Sequence, residues 1–439
     1  MRTGLTRRFA PIGPLRGHAR APSDKSITHR ALMLGAVGDG ETLIERPLWA
    51  GDTLATAVVV RALGARIDGE AEDTRAVVHG AGLCGLRAAG IVLDAANSGT
   101  TVRLMAGLLA GQNGDFTLDG DESLRRRPMD RIVDPLRAMG VQVNAREGRY
   151  VPLVVKGGTV HSVTYEMPVA SAQVKSCVLF AGLHADGQTT VVERVPSRDH
   201  SERLLRAAGV TVRAVGDRIT VTGAARLSLA RVPVPGDLSS AAFLAAAAAL
   251  VPGSELRIDG VGLNPTRLGF FEVLRRMGGN VEWHVEGGEE ATGDGPAGEP
   301  WGTMIVRHAP LHGTRVAPAE IPLLIDEVPL VALLATTADG ETVVDGAGEL
   351  RVKESDRLAA VTQLLGGLGA EIESVDDGFR VRSRRLTGGV AESRGDHRLA
   401  LLGAVAGLVC PDGVTVHGFE AADVSYPGFE RALMEVSGG

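Results

Sequence analysis

Residues 114–143 read GDFTLDGDESLRRRPMDRIVDPLRAMGVQV, and the two ends of this stretch decide the fold. The first end is a turn glycine with a β-rich run after it. The second is an amphipathic helix that stops at Gly140 before another β-rich run. Glycine is expected just past a helix, because it enters the left-handed backbone region without a steric penalty. Since alternating apolar runs are typical of strands, the stretch predicts a strand–helix–strand module.

Both ends recur along the whole chain. The β-rich run follows a turn glycine at Gly40, Gly114, Gly187, Gly253, Gly340 and Gly413, at intervals of 74, 73, 66, 87 and 73 residues. The helix–glycine–strand pattern recurs as RALGARI, RAAGVTV, LRRMGGNV and GGLGAEI, and a last helix, FERALMEV, closes the chain. Any α/β protein repeats such units once or twice, but six copies at a near-constant period indicate a repeat architecture. A chain of 439 residues accommodates them as two domains of three modules each.

Two predicted helices, at residues 239–250 and 398–409, are almost wholly apolar. A helix that is apolar on all sides must be buried, so we expect α/β domains with helices inside and sheets outside. The longest interval of the repeat contains a polar insertion, residues 287–302, which predicts a surface loop.

The composition is that of a globular protein, with 44% apolar and 23% charged residues. The net charge of −7 argues against a general nucleic-acid or membrane-surface binder. Cys84, Cys177 and Cys410 are too few and too widely spaced for a disulfide framework or a zinc site. The longest apolar run, residues 241–251, is about half the ~20 residues that span a bilayer. We expect a protein of the reducing cytoplasm.

Arginine dominates the basic residues. Among the 46 basic residues, only Lys25, Lys156, Lys175 and Lys353 are lysines. Codon bias in a GC-rich genome explains the excess of arginine, but it does not explain the four exceptions. Arginine carries a planar guanidinium group that is always charged, whereas lysine carries a compact ammonium group that can release a proton. Lys25, Lys175 and Lys353 lie within the polar motifs described next, and Lys156 is expected at the surface.

Seven polar motifs lie where helices are predicted to begin. They are PSDKSITHR at 22–30, NSGTTVR at 97–103, RRRPM at 125–129, SAQVKS at 171–176, RDH at 198–200, IDE at 325–327 together with RVKESDR at 351–357, and DHR at 396–398. Taken alone, each is explained by helix capping, by a helix-starting proline at Pro128 or by helical ion pairs. Together they place cations at the N-termini of buried helices, where free N–H groups already attract anions.

These motifs predict a cleft that binds one or two strongly anionic substrates. Asp326 follows an apolar run, and a partly buried carboxylate there is a candidate base. The chain has no Walker A, dinucleotide-binding or HExxH pattern, so we expect neither a nucleotide nor a metal cofactor.

In their order along the chain, the motifs resemble those of the 5-enolpyruvylshikimate-3-phosphate synthase family, from about Arg20 to Phe429. ASAQVKS and LRVKESDR resemble the bacterial class that includes glyphosate-tolerant members. The resemblance implies two domains, each an inside-out α/β barrel of three βαβαββ repeats with buried helices. It implies a first domain at 23–235, on the shikimate 3-phosphate side, and a second at 1–22 plus 236–439. The crossings fall near Ser23 and Pro235, and substrate is expected to close the cleft.

The resemblance also implies a reaction. The family transfers the enolpyruvyl (1-carboxyvinyl) group of phosphoenolpyruvate to the 5-hydroxyl of shikimate 3-phosphate, by addition and then elimination of phosphate. The product lies on the shikimate pathway to chorismate and the aromatic amino acids. The two substrates are the implied partners, with no cofactor, nucleic acid or membrane, and the chain is expected to be a monomer.

The resemblance carries roles onto matching residues. Asp326 would take the proton of the 5-hydroxyl, Glu354 would handle the proton at the methylene carbon, and Lys25 would be a second acid–base and charge-stabilising group. Shikimate 3-phosphate would be held by Lys25, Ser26, Arg30, Ser171, Ala172, Gln173, Arg198, Asp326 and Lys353. Phosphoenolpyruvate would be held by Lys25, Gly99, Arg127, Gln173, Arg357 and Arg398. Both substrates carry several negative charges, so a site with many cations suits them. Proton transfer needs side chains that gain and lose a proton, which arginine does not do.

Three positions depart from relatives. Many relatives have glycine where this chain has Ser23. A lysine that contacts phosphoenolpyruvate in the best-known class is replaced by Val424, and the other class also lacks it. Tolerant members of that class carry alanine at the position of Gly99, so the resemblance predicts ordinary sensitivity to glyphosate here.

Three alternatives remain open at this point. The sister transferase that acts on UDP-N-acetylglucosamine usually carries a catalytic cysteine on a loop of its first domain, but residues 119–131 contain none. An RNA 3′-phosphate cyclase, built from related modules, needs a histidine nucleophile that the motifs do not match. A degenerate homologue that only binds anions would lack Asp326, Glu354 or Lys25, and all three are present.

Overall fold

The structure is a computed structural model, and it describes residues 4–70, 73–87, 90–224, 226–288 and 298–438. The chain divides into two compact units. The first unit comprises Ser23–Pro235 and Gly288–Glu299, and the second comprises Met1–Pro22, Gly236–Gly287 and Pro300–Gly439. Gly288, Gly298 and Glu299, which the sequence assigned to the second domain, are thus grouped with the first unit. Most of the polar insertion predicted at 287–302 lies outside the described residues.

The chain begins in the second unit, with the strands β1 (Thr6–Phe9) and β2 (Arg16–Ala19). The elements of the first unit follow in the order α1 (Lys25–Ala36), β3 (Glu41–Glu45), α2 (Gly51–Ala62), β4 (Arg66–Asp68), β5 (Arg75–His79), β6 (Val92–Asp94), α3 (Gly99–Leu109), β7 (Gly114–Asp119), α4 (Asp130–Ala138), β8 (Gln142–Arg146), β9 (Tyr150–Gly157), β10 (Thr164–Glu166), α5 (Ala172–Gly182), β11 (Gln188–Val192), α6 (His200–Ala207), β12 (Val212–Val215), β13 (Arg218–Thr222) and β14 (Arg231–Pro233). The second unit resumes with α7 (Leu238–Leu250), β15 (Glu255–Gly262), α8 (Gly269–Arg276), β16 (Asn280–Gly287), β17 (Trp301–Arg307), β18 (Arg315–Val316), α9 (Ile321–Leu324), α10 (Val328–Ala335), β19 (Glu341–Val344), α11 (Arg357–Gly367), β20 (Glu371–Val375), β21 (Gly378–Arg382), β22 (Gly389–Glu392), α12 (His397–Gly407), β23 (Val414–His417) and α13 (Phe429–Val436).

Four-stranded sheets make up the repeats of the first unit. Their strand orders are β14-β3-β5-β4, β6-β7-β9-β8 and β10-β11-β13-β12. In each sheet the first pair is parallel and the other pairs are antiparallel. The last strand of the unit, β14, completes the sheet of the first repeat, because it runs parallel to β3 with Val232 opposite Ile44.

The second unit repeats this pattern and uses the N-terminus of the chain to complete it. Its sheets have the orders β16-β17-β15-β2, β18-β19-β21-β20 and β1-β23-β22. Strand β2 runs parallel to β15 with Arg16 opposite Glu255, and β1 runs antiparallel to β23 with Thr6 opposite His417. The first two strands of the chain therefore complete sheets whose other strands come much later in the sequence.

The β-rich runs predicted after the six turn glycines are confirmed as strands β3, β7, β11, β15, β19 and β23. Each is the strand that joins the parallel pair to the antiparallel part of its sheet. The glycines predicted at helix ends also have the expected conformation, since Gly140 and Gly278 have φ angles of 84° and 90°. Such angles exclude most side chains, which explains why glycine recurs there.

Helix burial agrees with the predicted arrangement of helices inside and sheets outside. Helices α7 and α12 are buried along their whole length, as their apolar sequences predicted. Helix α10 is also buried at every residue, α1, α3 and α5 are nearly as buried, and α4, α6 and α8 each bury only part of their surface. In the described ranges, no helix is both long and apolar enough to cross a membrane.

One local prediction was wrong. Pro128 was expected in the first turn of a helix, but α4 begins at Asp130 with Met129 as its N-cap. The backbone here makes hydrogen bonds outside a helix. The N–H of Met129 donates to the carbonyl of Arg149, and the carbonyl of Pro128 accepts from Arg103. Pro128 therefore ends a loop rather than starting a helix.

Candidate active site

In the first unit, the N-terminus of α1 holds Lys25 in a defined place. Asp24 caps the helix, and its Oδ1 accepts from the N–H of Ile27 at 2.9 Å. Lys25 is the first helical residue, and its Nζ lies 2.9 Å from Oδ2 of Asp52 at the start of α2. The ammonium is therefore oriented by a carboxylate next to a helix end that already favours anions.

Arg30 is buried one turn further along α1. Its Nε donates to Oγ of Ser201 at 2.7 Å, its Nη2 to Oγ of Ser176 at 2.8 Å, and its Nη1 to the carbonyl of Ser26 at 3.0 Å. Burial lowers the pKa of Arg30 to about 10, so the guanidinium stays charged at neutral pH. It is a fixed cation shared by α1, α5 and α6.

The N-termini of α3 and α5 are tied together. Ser98 and Ser171 cap these helices with their side chains. Arg103 of α3 donates from Nη1 to Oε1 of Gln173 on α5 at 2.6 Å, and Nε2 of Gln173 donates to Oγ1 of Thr100 at 2.9 Å. The sequence predicted Gln173 but not Arg103, whose only signal was its place at the end of the NSGTTVR motif.

Gly99 lies beneath two guanidinium groups. A Cβ atom placed on Gly99 would lie 2.9 Å from Nη1 of Arg103 and 3.5 Å from Nη1 of Arg127. Arg127 is itself buried, and its Nη2 donates to Oγ of Ser123 at 3.2 Å. Even a methyl group at position 99 would therefore press on the guanidinium of Arg103 and contact that of Arg127.

The remaining predicted residues of the first unit also lie at helix starts. Ser26 is the second residue of α1, and Ala172 is the first residue of α5. Arg198 is partly exposed and lies just before Asp199, the N-cap of α6. Asp199 is fixed in turn, because its Oδ2 accepts from Nε of Arg203 at 2.9 Å.

In the second unit, Arg357 is the centre of the site. Its side chain is 1% exposed, and it touches three carboxylates. Nε lies 2.8 Å from Oδ2 of Asp396, Nη2 lies 2.5 Å from Oε2 of Glu354, and Nη1 lies 3.4 Å from Oδ1 of Asp326. Burial alone lowers the pKa of Arg357, but Asp396 and Glu354 outweigh it and raise this pKa above its ordinary value.

Asp396 anchors Arg357 from the N-cap of α12. Its side chain is fully buried, and its Oδ1 accepts from the N–H of Arg398 at 3.0 Å. Burial raises the pKa of Asp396, but the charge of Arg357 outweighs burial and lowers this pKa below its ordinary value. The carboxylate therefore remains ionised at neutral pH and keeps the guanidinium in place.

Asp326 lies between α9 and α10, among three cations. Its carboxylate is 3.8 Å from Nζ of Lys353, 3.4 Å from Nη1 of Arg357 and 3.6 Å from Nη2 of Arg398. Arg398 also donates from Nη1 to the backbone carbonyl of Asp326 at 3.0 Å. Lys353, Arg357 and Arg398 thus all lie within 4 Å of the carboxylate of the candidate base.

Glu354 and Lys353 precede the helix that their motif predicted. Lys353 is the C-cap of a short 3-10 helix, Gly348–Val352, and α11 begins only at Arg357 with Asp356 as its N-cap. The alternative of a helical ion pair between Glu354 and Arg357 expected a contact between these side chains, and this contact is present, although only Arg357 lies in the helix. Its guanidinium is buried, however, so it is not an ordinary pair on a solvated helix face.

Glu327 is a further buried residue that the sequence did not single out for a role. It is 3% exposed, its Oε1 accepts from Oγ of Ser239, and the same oxygen lies 3.8 Å from Nη1 of Arg398. Ser239 in turn accepts from Nη2 of Arg267 at 2.6 Å. These contacts join the start of α7 to the carboxylate-rich site in the same unit.

Ser23 and Val424, like Gly99, are positions at which this chain differs from relatives. Ser23 is buried and precedes Asp24, whose N–H donates to the carbonyl of Pro235 at 2.8 Å. Val424 is partly exposed at the end of a 3-10 helix, Phe419–Val424. The predicted site residues thus form two sets, one in each unit, and every set is rich in fixed cations.

Comparison with known proteins gives a single family. A sequence model described as EPSP synthase (3-phosphoshikimate 1-carboxyvinyltransferase) matches residues 9–433. Curated proteins named 3-phosphoshikimate 1-carboxyvinyltransferase include that of Thermus thermophilus, 48% identical over 431 residues and 98% of each chain. That of Pelotomaculum thermopropionicum is 49% identical over 425 residues and 96% of each chain.

Solved structures agree with the sequence comparison. The structure of EPSP synthase from Acinetobacter baumannii has a TM-score of 0.85 and 37% identity over 98% of both chains. The enolpyruvyl transferase NikO from Streptomyces tendae has a TM-score of 0.77 at 19% identity, which supports the fold alone. The match of 9–433 covers both units and every motif from Lys25 to Arg398, and the chain belongs to the EPSP synthase (3-phosphoshikimate 1-carboxyvinyltransferase) family.

Proposed function

We propose how the residues of this chain carry out the reaction of its family, the transfer of the enolpyruvyl group of phosphoenolpyruvate to the 5-hydroxyl of shikimate 3-phosphate. The observation that carries the proposal is the cluster around Arg357. One buried guanidinium orients both Asp326 and Glu354, while Asp396 fixes it from behind. Two carboxylates held in this way suit a reaction that moves a proton from oxygen and a proton to carbon.

Shikimate 3-phosphate is bound by residues of the first unit at the starts of α1, α5 and α6. These are Lys25, Ser26, Arg30, Ser171, Ala172, Gln173 and Arg198. The fixed charges of Lys25 and Arg30 support this role, because a phosphate group needs cations and helix N–H donors. Asp326 and Lys353 of the second unit complete the set.

Phosphoenolpyruvate is bound by Lys25, Gly99, Arg127 and Gln173 of the first unit and by Arg357 and Arg398 of the second. The small size of Gly99 supports this role, because it leaves space beside the guanidinium of Arg103, where a Cβ atom would lie only 2.9 Å from Nη1. Cations that are fixed before the reaction stabilise negative charge as it develops on the departing phosphate.

The reaction proceeds in two steps. In the addition, Asp326 accepts the proton of the 5-hydroxyl group while the oxygen of that hydroxyl bonds to the second carbon of phosphoenolpyruvate. Glu354 donates a proton to the methylene carbon. In the elimination, the new methyl group returns a proton to Glu354 and the carbon–carbon double bond forms again. The carbon–oxygen bond to phosphate breaks, the phosphate leaves with the electrons of that bond, and it takes up the proton held by Asp326. Lys25 stabilises charge and acts as a second acid–base group, since an ammonium can release a proton and a guanidinium cannot.

We also propose that the chain works as a monomer in the cytoplasm. Its partners are then the two small-molecule substrates alone. The net charge of −7 supports this, because it disfavours a nucleic-acid or membrane-surface partner.

Phosphate release from phosphoenolpyruvate tests the reaction. We expect release that depends strictly on shikimate 3-phosphate and that equals the enolpyruvyl product formed. Release driven by UDP-N-acetylglucosamine would instead identify the sister transferase. No release with either acceptor, in a protein that still binds both substrates, would indicate a homologue that only binds anions.

A further inference from the structure

Lys175 is a buried lysine to which the reaction above gives no task. It lies within α5, and its side chain is 2% exposed. Its Nζ lies 2.8 Å from Oε2 of Glu193, 2.8 Å from Oε1 of Glu202 and 3.2 Å from the carbonyl oxygen of Ser197. An ammonium has three N–H donors, so these contacts use all of them.

The charge of this lysine is stable in its buried place. Burial alone lowers the pKa of Lys175, but Glu202 and Glu193 outweigh burial and raise this pKa above its ordinary value. Burial raises the pKa of Glu202, its partner in α6. Lys175 therefore stays charged at neutral pH, and its enclosed position excludes direct contact with a dissolved substrate.

The contacts of Lys175 lead to two residues proposed to bind shikimate 3-phosphate. The carbonyl that it holds belongs to Ser197, the residue before Arg198. Glu202 lies next to Ser201 on α6, and Ser201 accepts from Nε of Arg30. The contacts of Lys175 therefore reach Arg198 through Ser197 and Arg30 through the α6 turn that holds Glu202 and Ser201.

Ser176, the neighbour of Lys175 on α5, contacts both Arg30 and Ser201. Its Oγ accepts from Nη2 of Arg30 at 2.8 Å and lies 2.6 Å from Oγ of Ser201. A shift of α5 against α6 would consequently move both hydroxyl groups that orient Arg30. Lys175 spans these helices with a charged contact that resists such a shift.

We infer that Lys175, with Glu193 and Glu202, is a positioning residue that fixes Arg198 and Arg30 for the phosphate of shikimate 3-phosphate. The inference rests on the proposed function, because it deepens the account of the same binding site. The choice of lysine follows from the geometry, since three acceptors surround one point and a planar guanidinium does not match them. This explains why a chain with arginine at most basic positions keeps lysine here.

Steady-state kinetics of Lys175→Met test this inference. Methionine keeps the length of the side chain but has no N–H donor. We expect the KM for shikimate 3-phosphate to rise by about tenfold or more, as for other residues that orient a binding group. The KM for phosphoenolpyruvate should stay within about twofold of its original value, because this substrate relies on other side chains.

A second variant tests whether a rise in this KM comes from lost positioning or from buried charges left without a partner. Lys175→Met with Glu193→Gln removes one buried charge of each sign, so it should be more stable than the single variant while its KM for shikimate 3-phosphate stays high. The matched control is Lys156→Met, the same change at an exposed lysine of β9, and it should leave both KM values unchanged.

The inference is overturned if the folded double variant binds shikimate 3-phosphate as well as the original protein does. An equal rise in both KM values, or failure of both variants to fold, would overturn it too, because each would indicate a general structural role. Calorimetric binding of shikimate 3-phosphate keeps this test apart from the proposed reaction. A protein that binds this ligand without turnover contradicts the reaction and still allows the variants to be compared.

Discussion

Nη2 of Arg357 lies 2.5 Å from Oε2 of Glu354, while Nε of the same guanidinium lies 2.8 Å from Oδ2 of the buried Asp396. One end of the arginine is thus anchored in the protein interior, and the other holds a carboxylate that is 25% exposed. Glu354 is accordingly oriented without being sealed from substrate, which suits a group that moves a proton at carbon.

The first prediction concerns Glu354. Glu354→Gln keeps a side chain that can contact Arg357 but cannot exchange a proton, so turnover should fall by about 10²- to 10⁴-fold. The melting temperature should change little, and substrate binding should persist. The control is Glu373→Gln on the exposed face of β20. Turnover of Glu354→Gln within a few fold of the original protein would contradict the proton-transfer role.

Lys25→Arg tests the need for a lysine at the start of α1. The variant keeps the positive charge and can still pair with Asp52, so the fold should be retained. Turnover should fall by about a hundredfold or more, because a guanidinium neither releases a proton nor presents a point charge. Lys156→Arg is the matched control. Near-normal turnover of Lys25→Arg would show that the lysine reflects composition alone.

Gly99→Ala tests the space in the phosphoenolpyruvate site. The added methyl group would lie 2.9 Å from Nη1 of Arg103, so this guanidinium must shift, and 3.5 Å from Nη1 of Arg127, which is an ordinary contact distance. We expect the original protein to be inhibited by glyphosate in competition with phosphoenolpyruvate. The variant should show weaker inhibition and a higher KM for phosphoenolpyruvate. Equal, weak inhibition of both proteins would contradict this expectation.

The buried position of His29 predicts how the free energy of unfolding depends on pH. It is buried in α1 with its Nδ1 2.7 Å from Oγ1 of Thr56, and burial lowers the pKa of His29 to about 3 from 6.5. Between these values the unfolded chain binds a proton that the folded chain does not. The contribution of neutral His29 is therefore complete above pH 6.5 and is lost as pH falls toward 3, by at most about 5 kcal/mol.

Denaturant unfolding of His29→Gln measures this contribution. Glutamine does not titrate, so the free energy of unfolding should fall less steeply with acid in the variant than in the original protein. Subtracting the two curves removes the effect of the other titrating groups. Parallel curves between pH 6.5 and 3 would contradict a neutral, buried His29.

The strands and the starts of the buried helices were predictable because their signals are local. A turn glycine followed by alternating β-branched residues predicts a strand such as β7, and a polar cap before an apolar run predicts a helix such as α3. Pro128 failed as a helix start because a distant carbonyl, that of Arg149, binds the backbone N–H of the next residue. Local rules do not contain that contact.

The contacts that make the site were less predictable. Asp52 meets Lys25 across 27 residues, and Glu327 meets Ser239 across 88 residues, so only the assembled repeats bring them together. Arg103 carried no signal apart from its motif, and its bond to Gln173 crosses from one repeat to the next. The roles of Asp326 and Glu354 came from the resemblance, because charge patterns alone do not distinguish a base from a structural ion pair.

Incorporation of deuterium from solvent tests the central claim, addition and elimination with proton transfer at the methylene carbon, most directly. The reaction is run in deuterium oxide, and the enolpyruvyl product is examined by mass spectrometry. We predict deuterium in its methylene group, because the methyl group of the intermediate gains one solvent deuteron and then loses any one of its hydrogens. A product that contains only protium at this carbon would contradict the account.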